Sequence, residues 1–304
     1  ATALCQEDVR KSIFVCQAPL LGLLYDIHHM NQPNSAGLKL NGRLTFNDYD
    51  ILGASFDLEG TLVNLEPLNF AAHVAAAKKV GVTIDPDNFD ETRRISAHFF
   101  GGPNKAIAAE LVAAGGGGMA ADELLAYDRE QFDLLLQAFD TIDTRPGAIE
   151  LLTALERNGT PMTLVSVTEP RHATLMLERS GLRRFFPQER TILLHDVTHP
   201  KPHPEGYLLA AKRMGIDALH HLVAEDSPSG VRAGVAAGAH VIAIPVDART
   251  EIVDHLRELG AHLVINDWGE LGKDVIAAHE GAARWPTEGD LSYQPFHDGR
   301  GNRL

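Results

Sequence analysis

The sequence is poor in cysteine and in positive charge. Only 2 of its 304 residues are cysteines, Cys5 and Cys16, so it offers neither a disulfide framework nor a zinc-ligand spacing. Lys and Arg number 27 against 41 Asp and Glu, and this formal net charge of -14 argues against a nucleic-acid partner. An anionic substrate would need a local cation or a metal ion to offset that charge.

Long apolar runs are also scarce. Residues 13–25 are mostly apolar and follow Arg10-Lys11, which loosely resembles a signal peptide. However, acidic residues lie in the would-be basic region, Pro19 interrupts the run, and the run is shorter than the roughly 20 apolar residues of a membrane span. We therefore expect a cytoplasmic protein that binds no membrane.

From about residue 50 onward, short apolar runs alternate with longer amphipathic segments. This alternation predicts an α/β fold with a parallel sheet and helices on both faces. Thr168 and Ser227 each precede a proline closely and are expected to cap helices. The predicted strands are 51–56, 162–167, 191–194, 221–224, 240–244 and 262–265, and the predicted helices are 147–158, 170–180, 205–214, 228–237 and 249–259.

Residues 66–143 differ from this pattern because they are predicted to form consecutive helices without strands. The helices are expected at 71–80, 105–114 and 121–139, with the four glycines from Gly115 to Gly118 as a flexible joint. A helical insert after the first strand of an α/β core is most simply a cap domain.

The whole chain is thus expected to have four parts. Residues 1–48 form an extension of unknown role, in which 31–42 are predicted as loop, and an extra layer on the core or a homodimer contact both remain open. The α/β core comprises 49–65 and 144–280, the helical cap 66–143, and an irregular tail 281–304.

The segment Asp57-Leu58-Glu59-Gly60-Thr61 directly follows the first predicted core strand. An aspartate at this position can attack an electrophile, and the second acid can move a proton. Gly60 lets the backbone fold back over a ligand.

Three other core strands also lead into reactive side chains. Ser166 and Thr168 lie at the tip of the second strand, Lys201 in the loop after the third, and Glu225-Asp226 at the end of the fourth. Ligands bind at the carboxyl ends of the strands in an open parallel sheet, so we expect these groups to converge.

Together these residues resemble the four motifs of the haloacid dehalogenase-like hydrolase superfamily, over roughly residues 50 to 245. The helical insert resembles the first-type cap of the phosphoglucomutase and phosphoglycolate phosphatase branch. The resemblance implies a Rossmann-like parallel sheet with an inserted α-helical cap domain. The matching residues are Asp57 to Thr61 for motif one, Ser166 for motif two, Lys201 for motif three and Glu225 to Gly230 for motif four.

The resemblance also implies a magnesium-dependent phosphatase that acts on a small phosphorylated metabolite. Asp57 would attack phosphorus to give an aspartyl-phosphate, and Glu59 would protonate the leaving alcohol and then activate water. Lys201 would reduce repulsion between Asp57 and the phosphoryl group, to which Ser166 would donate a hydrogen bond. The implied Mg²⁺ ligands are Asp57, the backbone carbonyl of Glu59, Asp226 and, in support, Glu225, and the implied substrate contacts in the core are Gly60, Thr61 and Thr168.

Motif one departs from the usual pattern, because Glu59 stands where the second acid is normally Asp. Enolase-phosphatases resemble this chain in that substitution, so the acid/base role is retained. The change counts against a sugar-phosphate mutase. Alternative functions are a phosphotransferase or mutase, an enzyme repurposed for another phosphate or diphosphate substrate, and a phosphate-binding protein without turnover.

Basic side chains of the predicted cap are candidates for contact with the non-reacting end of the substrate. A solvated helix face is the alternative for each of them. The candidates are Arg93, Arg94, His98 and Lys105.

Overall fold

The computed structural model describes residues 38–40, 43–85, 88–100 and 102–271. The predicted extension as far as residue 37, both cysteines and the predicted tail from residue 281 lie outside the described residues. Within the described part, no helix is both long and apolar enough to cross a membrane.

A small antiparallel sheet precedes the core. Its order is β1-β2-β3, and its inward side chains belong to the main apolar core. The expectation of a loop over 31–42 is therefore wrong for residues 38–40, and a domain boundary after residue 48 would divide this sheet. The strands are β1 (Leu38–Leu40), β2 (Leu44–Phe46) and β3 (Tyr49–Asp50).

In the described part of the chain the central sheet has six strands, and every neighbouring pair is parallel. Its order is β6-β5-β4-β7-β8-β9, so the chain order changes direction at β4. The carboxyl ends of β4, β5 and β7 are consequently adjacent, at the type of switch point where α/β proteins bind ligands. The strands are β4 (Gly53–Phe56), β5 (Met162–Val165), β6 (Thr191–Ile192), β7 (His221–Glu225), β8 (His240–Ala243) and β9 (Leu263–Val264).

Among the described residues, four α-helices lie between β4 and the return of the chain to the sheet, and we call them the helical unit. They contain an apolar cluster of their own, in which the Phe70 and Phe99 rings pack at 5.5 Å. One of them, α2, was not predicted; the side chain of Asn88 caps it by accepting from the Glu91 backbone N–H at 3.1 Å. The helices are α1 (Glu66–Lys79), α2 (Phe89–Ile95), α3 (Asn104–Ala114) and α4 (Ala121–Ala138).

Five further helices alternate with the remaining core strands, as the sequence predicts. Ser227 caps α8 by accepting from the Gly230 backbone N–H at 3.1 Å. The cap of α6 is instead the carboxylate of Glu169, which frees the Thr168 hydroxyl for another partner. The helices are α5 (Ala148–Arg157), α6 (Pro170–Arg179), α7 (Glu205–Met214), α8 (Pro228–Ala236) and α9 (Thr250–Glu258).

Candidate active site

Lys201 lies at the centre of the groups that converge on the switch point. Its ammonium group donates to Asp57 Oδ1 at 2.6 Å, to Glu225 Oε1 at 2.6 Å and to the Val165 carbonyl at 2.8 Å. The lysine side chain is only 6% exposed, so both ion pairs are buried. One cation thus joins the ends of β4, β5 and β7.

Glu225 is held on both of its oxygens. Oε1 also accepts from the Tyr207 hydroxyl at 2.6 Å, and Oε2 accepts from the Asp226 backbone N–H at 3.2 Å and the Ser227 hydroxyl at 3.2 Å. A Cβ at Gly230 would lie 1.8 Å from Glu225 Cδ, so α8 passes too close for any other residue there. This packing fixes the carboxylate against Lys201.

Asp57, Glu225 and Asp226 place three carboxylates next to that single lysine. Burial raises the pKa of Asp57 to about 7, although Lys201 opposes the shift, and Glu225 adds repulsion in the same direction. Burial and the charges of Asp57 and Glu225 also raise the pKa of Asp226. One oxygen of each carboxylate lies within 4.8 Å of the others, and such a set of hard oxygen donors with excess negative charge fits Mg²⁺.

The Glu59 carboxylate does not join this acidic group. Its Oε1 accepts a hydrogen bond from the Thr168 hydroxyl, and Thr168 Oγ1 lies 2.8 Å from Ser166 Oγ. Burial raises the pKa of Glu59, and Thr168 and then His172 oppose that shift. A carboxyl with a raised pKa, at the side of the nucleophile, is suited to proton transfer.

Gly60 turns the motif-one loop against Asp226. Its φ is +75°, and an added Cβ would lie 2.3 Å from Asp226 Oδ2. The hydroxyl of Thr61 donates to Asp226 Oδ1 at 3.3 Å. Both residues therefore support the position of Asp226, and Gly60 also faces the cavity described next.

A cavity of about 560 Å³ lies between the core and the helical unit. This volume suits a small-molecule ligand. Core residues Glu59, Gly60 and Asp226 form one wall, and residues of α1 and of the loop before α3 form another. The lining residues of the helical unit and its N-terminal approach are Asn64, Leu65, Glu66, Asn69, His73, Gly102, Pro103 and Asn104.

The basic candidates of the helical unit are not among the residues that line this cavity. His98 pairs with Glu110 at 2.6 Å, the Arg93 guanidinium lies 5.7 Å from the Phe100 ring centroid, and Lys105 is exposed. The structure brings together the predicted residues of the core but not Arg93, His98 and Lys105.

Several residues of the site were not predicted from the sequence. Tyr207 binds Glu225, His73 lies in the cavity wall, and Arg145 donates to the carbonyls of Gly60 and Asn266 at 2.7 and 2.6 Å. The Arg145 contacts involve backbone carbonyls, which no residue pattern marks. Tyr207 follows Lys201 closely in sequence, and this spacing was the only sequence feature that could have placed Tyr207 near the site.

Comparison with known proteins agrees with this architecture. Hexitol phosphatase A of Escherichia coli (strain K12) is 33% identical over 211 residues, covering 65% of this chain and 85% of that protein. (DL)-glycerol-3-phosphatase 1, mitochondrial, of Arabidopsis thaliana is 30% identical over 233 residues, 73% of each protein. The crystal structure of a HAD family hydrolase from Deinococcus radiodurans R1, with bound phosphate and sodium, has a TM-score of 0.59 at 25% identity and covers 75% of this chain and 96% of that one. A family model for haloacid dehalogenase-like hydrolases matches residues 51–238, so the chain belongs to that family.

Proposed function

We propose that this protein is a phosphatase that hydrolyses the phosphate monoester of a small metabolite. The observation that carries the proposal is the buried contact of Lys201 with both Asp57 and Glu225, next to Asp226. A nucleophilic carboxylate, a cation beside it and a set of metal-binding oxygens are what phosphoryl transfer to an enzyme group needs.

In this proposal each residue acts at a defined atom. A carboxylate oxygen of Asp57 forms a bond to phosphorus while the bond to the ester oxygen breaks, and Glu59 gives its proton to that oxygen. Glu59 then takes a proton from water, whose oxygen attacks phosphorus and releases Asp57 and phosphate. Lys201 and the Ser166 hydroxyl stabilise the phosphoryl oxygens throughout.

Mg²⁺ is the cofactor that the donor set favours. Asp57 and Asp226 would hold it, with Glu225 and the Glu59 carbonyl in support, and it would neutralise charge on the phosphoryl oxygens. The helical unit would act as a cap, because it supplies the wall of the cavity that faces Glu59 and Asp226. The names of the hexitol and glycerol phosphatases among the relatives make polyol phosphates the first substrates to test.

The test measures phosphate release from polyol and sugar phosphates and from 4-nitrophenyl phosphate. Release should require Mg²⁺, stop with a chelator, resume when Mg²⁺ is added back, and fall by roughly 10⁴-fold or more in Asp57→Asn. Asp217→Asn is the matched control, because Asp217 is 71% exposed and lies before β7, at the other end of the sheet.

Two results would contradict the proposal. Transfer of phosphate to an added alcohol without hydrolysis would indicate a phosphotransferase. Absence of turnover in a folded protein that binds Mg²⁺ would indicate a phosphate-binding protein.

A further inference from the structure

One face of α1 carries three polar residues to which the proposed mechanism assigns no role. Glu66, Asn69 and His73 follow one another at three- and four-residue spacing, which places them on one side of the helix. All three line the cavity, whose core wall contains Glu59 and Asp226. They are therefore placed to meet the part of a substrate that leaves with the ester oxygen.

His73 is the most constrained of the three. Its Nδ1 lies 2.7 Å from Asp128 Oδ1 on α4, and the two side chains are only 4% and 5% exposed. The Phe99 ring packs edge-on against the imidazole at 5.6 Å between centroids. The contact with Asp128 fixes the orientation of the ring and occupies Nδ1, which leaves Nε2 as the nitrogen that can bind a ligand.

A buried imidazole–carboxylate pair is not what packing of the helical unit requires. The surrounding cluster is apolar, and a pair of this kind costs desolvation free energy. Asp128 Oδ2 has no hydrogen-bond partner within the described part of the chain. An oriented polar group kept in an apolar cluster, at the wall of a ligand-sized cavity, points to recognition rather than to folding.

The charged residues that line the cavity indicate the charge of the leaving group. Arg145 is the one guanidinium among the described residues that line the cavity, and it donates to the carbonyls of Gly60, Pro245 and Asn266. Arg249, which is not a lining residue, pairs with two of the acids, Asp247 and Glu251. The lining carboxylates are Glu59, Glu66, Asp226, Asp247 and Glu251.

Even with Asp226 assigned to Mg²⁺ and with Asp247 and Glu251 paired with Arg249, the described lining residues include no lysine, and Arg145 already donates to backbone carbonyls. This lining disfavours a second anionic group on the substrate. A bisphosphate or a phosphorylated carboxylic acid would bring further negative charge without a cation to meet it. Hydroxyl groups, in contrast, can both donate to carboxylates and accept from the Asn69 amide. The cavity therefore matches a neutral leaving group that carries several hydroxyls.

We propose that His73, oriented by Asp128, forms a hydrogen bond through Nε2 with a hydroxyl of a neutral, polyhydroxylated leaving group. His73 is then a specificity-determining residue that favours polyol or sugar monophosphates over phosphate esters without such a hydroxyl. This inference rests on the proposed phosphatase function and adds the class of substrate to it.

The test compares kcat/KM for three esters at saturating Mg²⁺: glycerol 3-phosphate, 4-nitrophenyl phosphate and 3-phosphoglycerate. The wild-type enzyme should prefer glycerol 3-phosphate to the anionic 3-phosphoglycerate by tenfold or more. In His73→Leu, the ratio of kcat/KM for glycerol 3-phosphate to that for 4-nitrophenyl phosphate should fall by tenfold or more. His73→Gln, which keeps a polar group near the position of Nε2, should restore part of the ratio.

His98→Gln is the matched control, because His98 also pairs with a carboxylate in the helical unit but is not among the residues that line the cavity. It should leave the ratio at the wild-type value.

Two outcomes would overturn the inference. An equal loss for both esters in His73→Leu and His73→Gln would show a structural role of His73. Equal wild-type use of glycerol 3-phosphate and 3-phosphoglycerate would show that the cavity does not select a neutral leaving group. Failure of the phosphatase proposal is a different result, namely no release from any ester by the wild-type enzyme. Thermal unfolding identifies a variant that does not fold, and His73→Gln then carries the test.

Discussion

At the residue scale, the distinctive feature of the site is the pairing of Glu59 with Thr168. The longer acid reaches the Thr168 hydroxyl, which in turn contacts Ser166. A hydrogen-bonded chain thus runs from the second acid of motif one to the hydroxyl of motif two. The extra methylene of Glu59 is accommodated by a specific partner.

We expect Glu59→Asp to lower kcat, although Asp is the usual residue in the family. Withdrawal of the carboxylate by about 1 Å would break its bond to Thr168 and misplace the proton donor, at a cost of roughly tenfold to a hundredfold. Thr168→Val should have a similar effect, and the double variant should cost less than the product of the two because both lose one shared interaction. Single-turnover kinetics checks this. A higher kcat for Glu59→Asp would contradict the pairing argument.

The convergence of the candidate residues at the strand ends could be predicted, because the order of the strands determines where their carboxyl ends lie. Asp57, Lys201, Glu225 and Asp226 follow core strands or loops that must meet at one edge of the sheet. The partner of Thr168 could not be predicted, since a threonine two residues before a proline equally suits a helix cap. In the structure the Glu169 carboxylate accepts from the backbone N–H groups at the start of α6, so Thr168 does not cap the helix and its hydroxyl binds Glu59 instead.

At the element scale, a buried polar contact crosses three strands of the central sheet. Ser55 Oγ on β4 lies 2.7 Å from His221 Nε2 on β7 and 2.7 Å from Thr163 Oγ1 on β5. Burial lowers the pKa of His221 to about 4 from its ordinary value of 6.5. The native sheet therefore holds this imidazole neutral at a pH where an unfolded chain would bind a proton.

This contact predicts a loss of stability in mild acid. Above pH 6.5 His221 is neutral in both states, and between pH 6.5 and 4 the unfolded state binds the proton that the folded state excludes. The free energy of unfolding should fall over that window by up to about 3 kcal/mol from this group. Urea unfolding at several pH values, for the wild type and His221→Gln, measures it. The stability difference between the two should shrink as pH falls, and a constant difference would contradict the assignment.

Most core elements could be predicted because each combines a clear pattern of apolar residues with capping or turn residues at its ends. The elements that were missed are short. The β2–β3 hairpin has strands of 3 and 2 residues, too few for an alternation to be visible. The residue pair Asn47-Asp48 could have indicated its turn, because Asn and Asp adopt positive φ more readily than most residues. In the structure both have positive φ, of 48° and 69°, as two-residue hairpin turns require.

At the scale of the whole molecule, the site lies between the helical unit and the α/β core, each of which has apolar clusters of its own. The helical unit has its own apolar cluster, and the sheet with its flanking helices has others. The small N-terminal sheet packs at the opposite end of the strands, where Tyr49 contacts His240 at 4.8 Å between ring centroids. Changes in that sheet should therefore affect stability before they affect the chemistry.

Arg145 joins loops of the core beside the candidate site. It lies where the chain returns from α4 to the core, and its backbone N–H donates to the Leu62 carbonyl at 2.8 Å. Its guanidinium holds the carbonyls of Gly60, Pro245 and Asn266, which lie beyond the ends of β4, β8 and β9. One side chain thus fixes three loops of the sheet edge, including the loop that packs against Asp226.

We expect Arg145→Lys to lower both stability and activity. A lysine retains the charge but cannot reach three carbonyls in one plane, so at least one of these half-buried or exposed acceptors loses its donor, at about 1 kcal/mol in the free energy of unfolding. The Gly60 loop would also be less fixed against Asp226, and kcat should fall with it. Urea unfolding and phosphate release measure the two effects.

Arg157→Lys, on the exposed side of α5, is the matched control and should change stability by less than about 0.5 kcal/mol. If the two lysine variants behave alike, the loops are held by their own packing and Arg145 is dispensable.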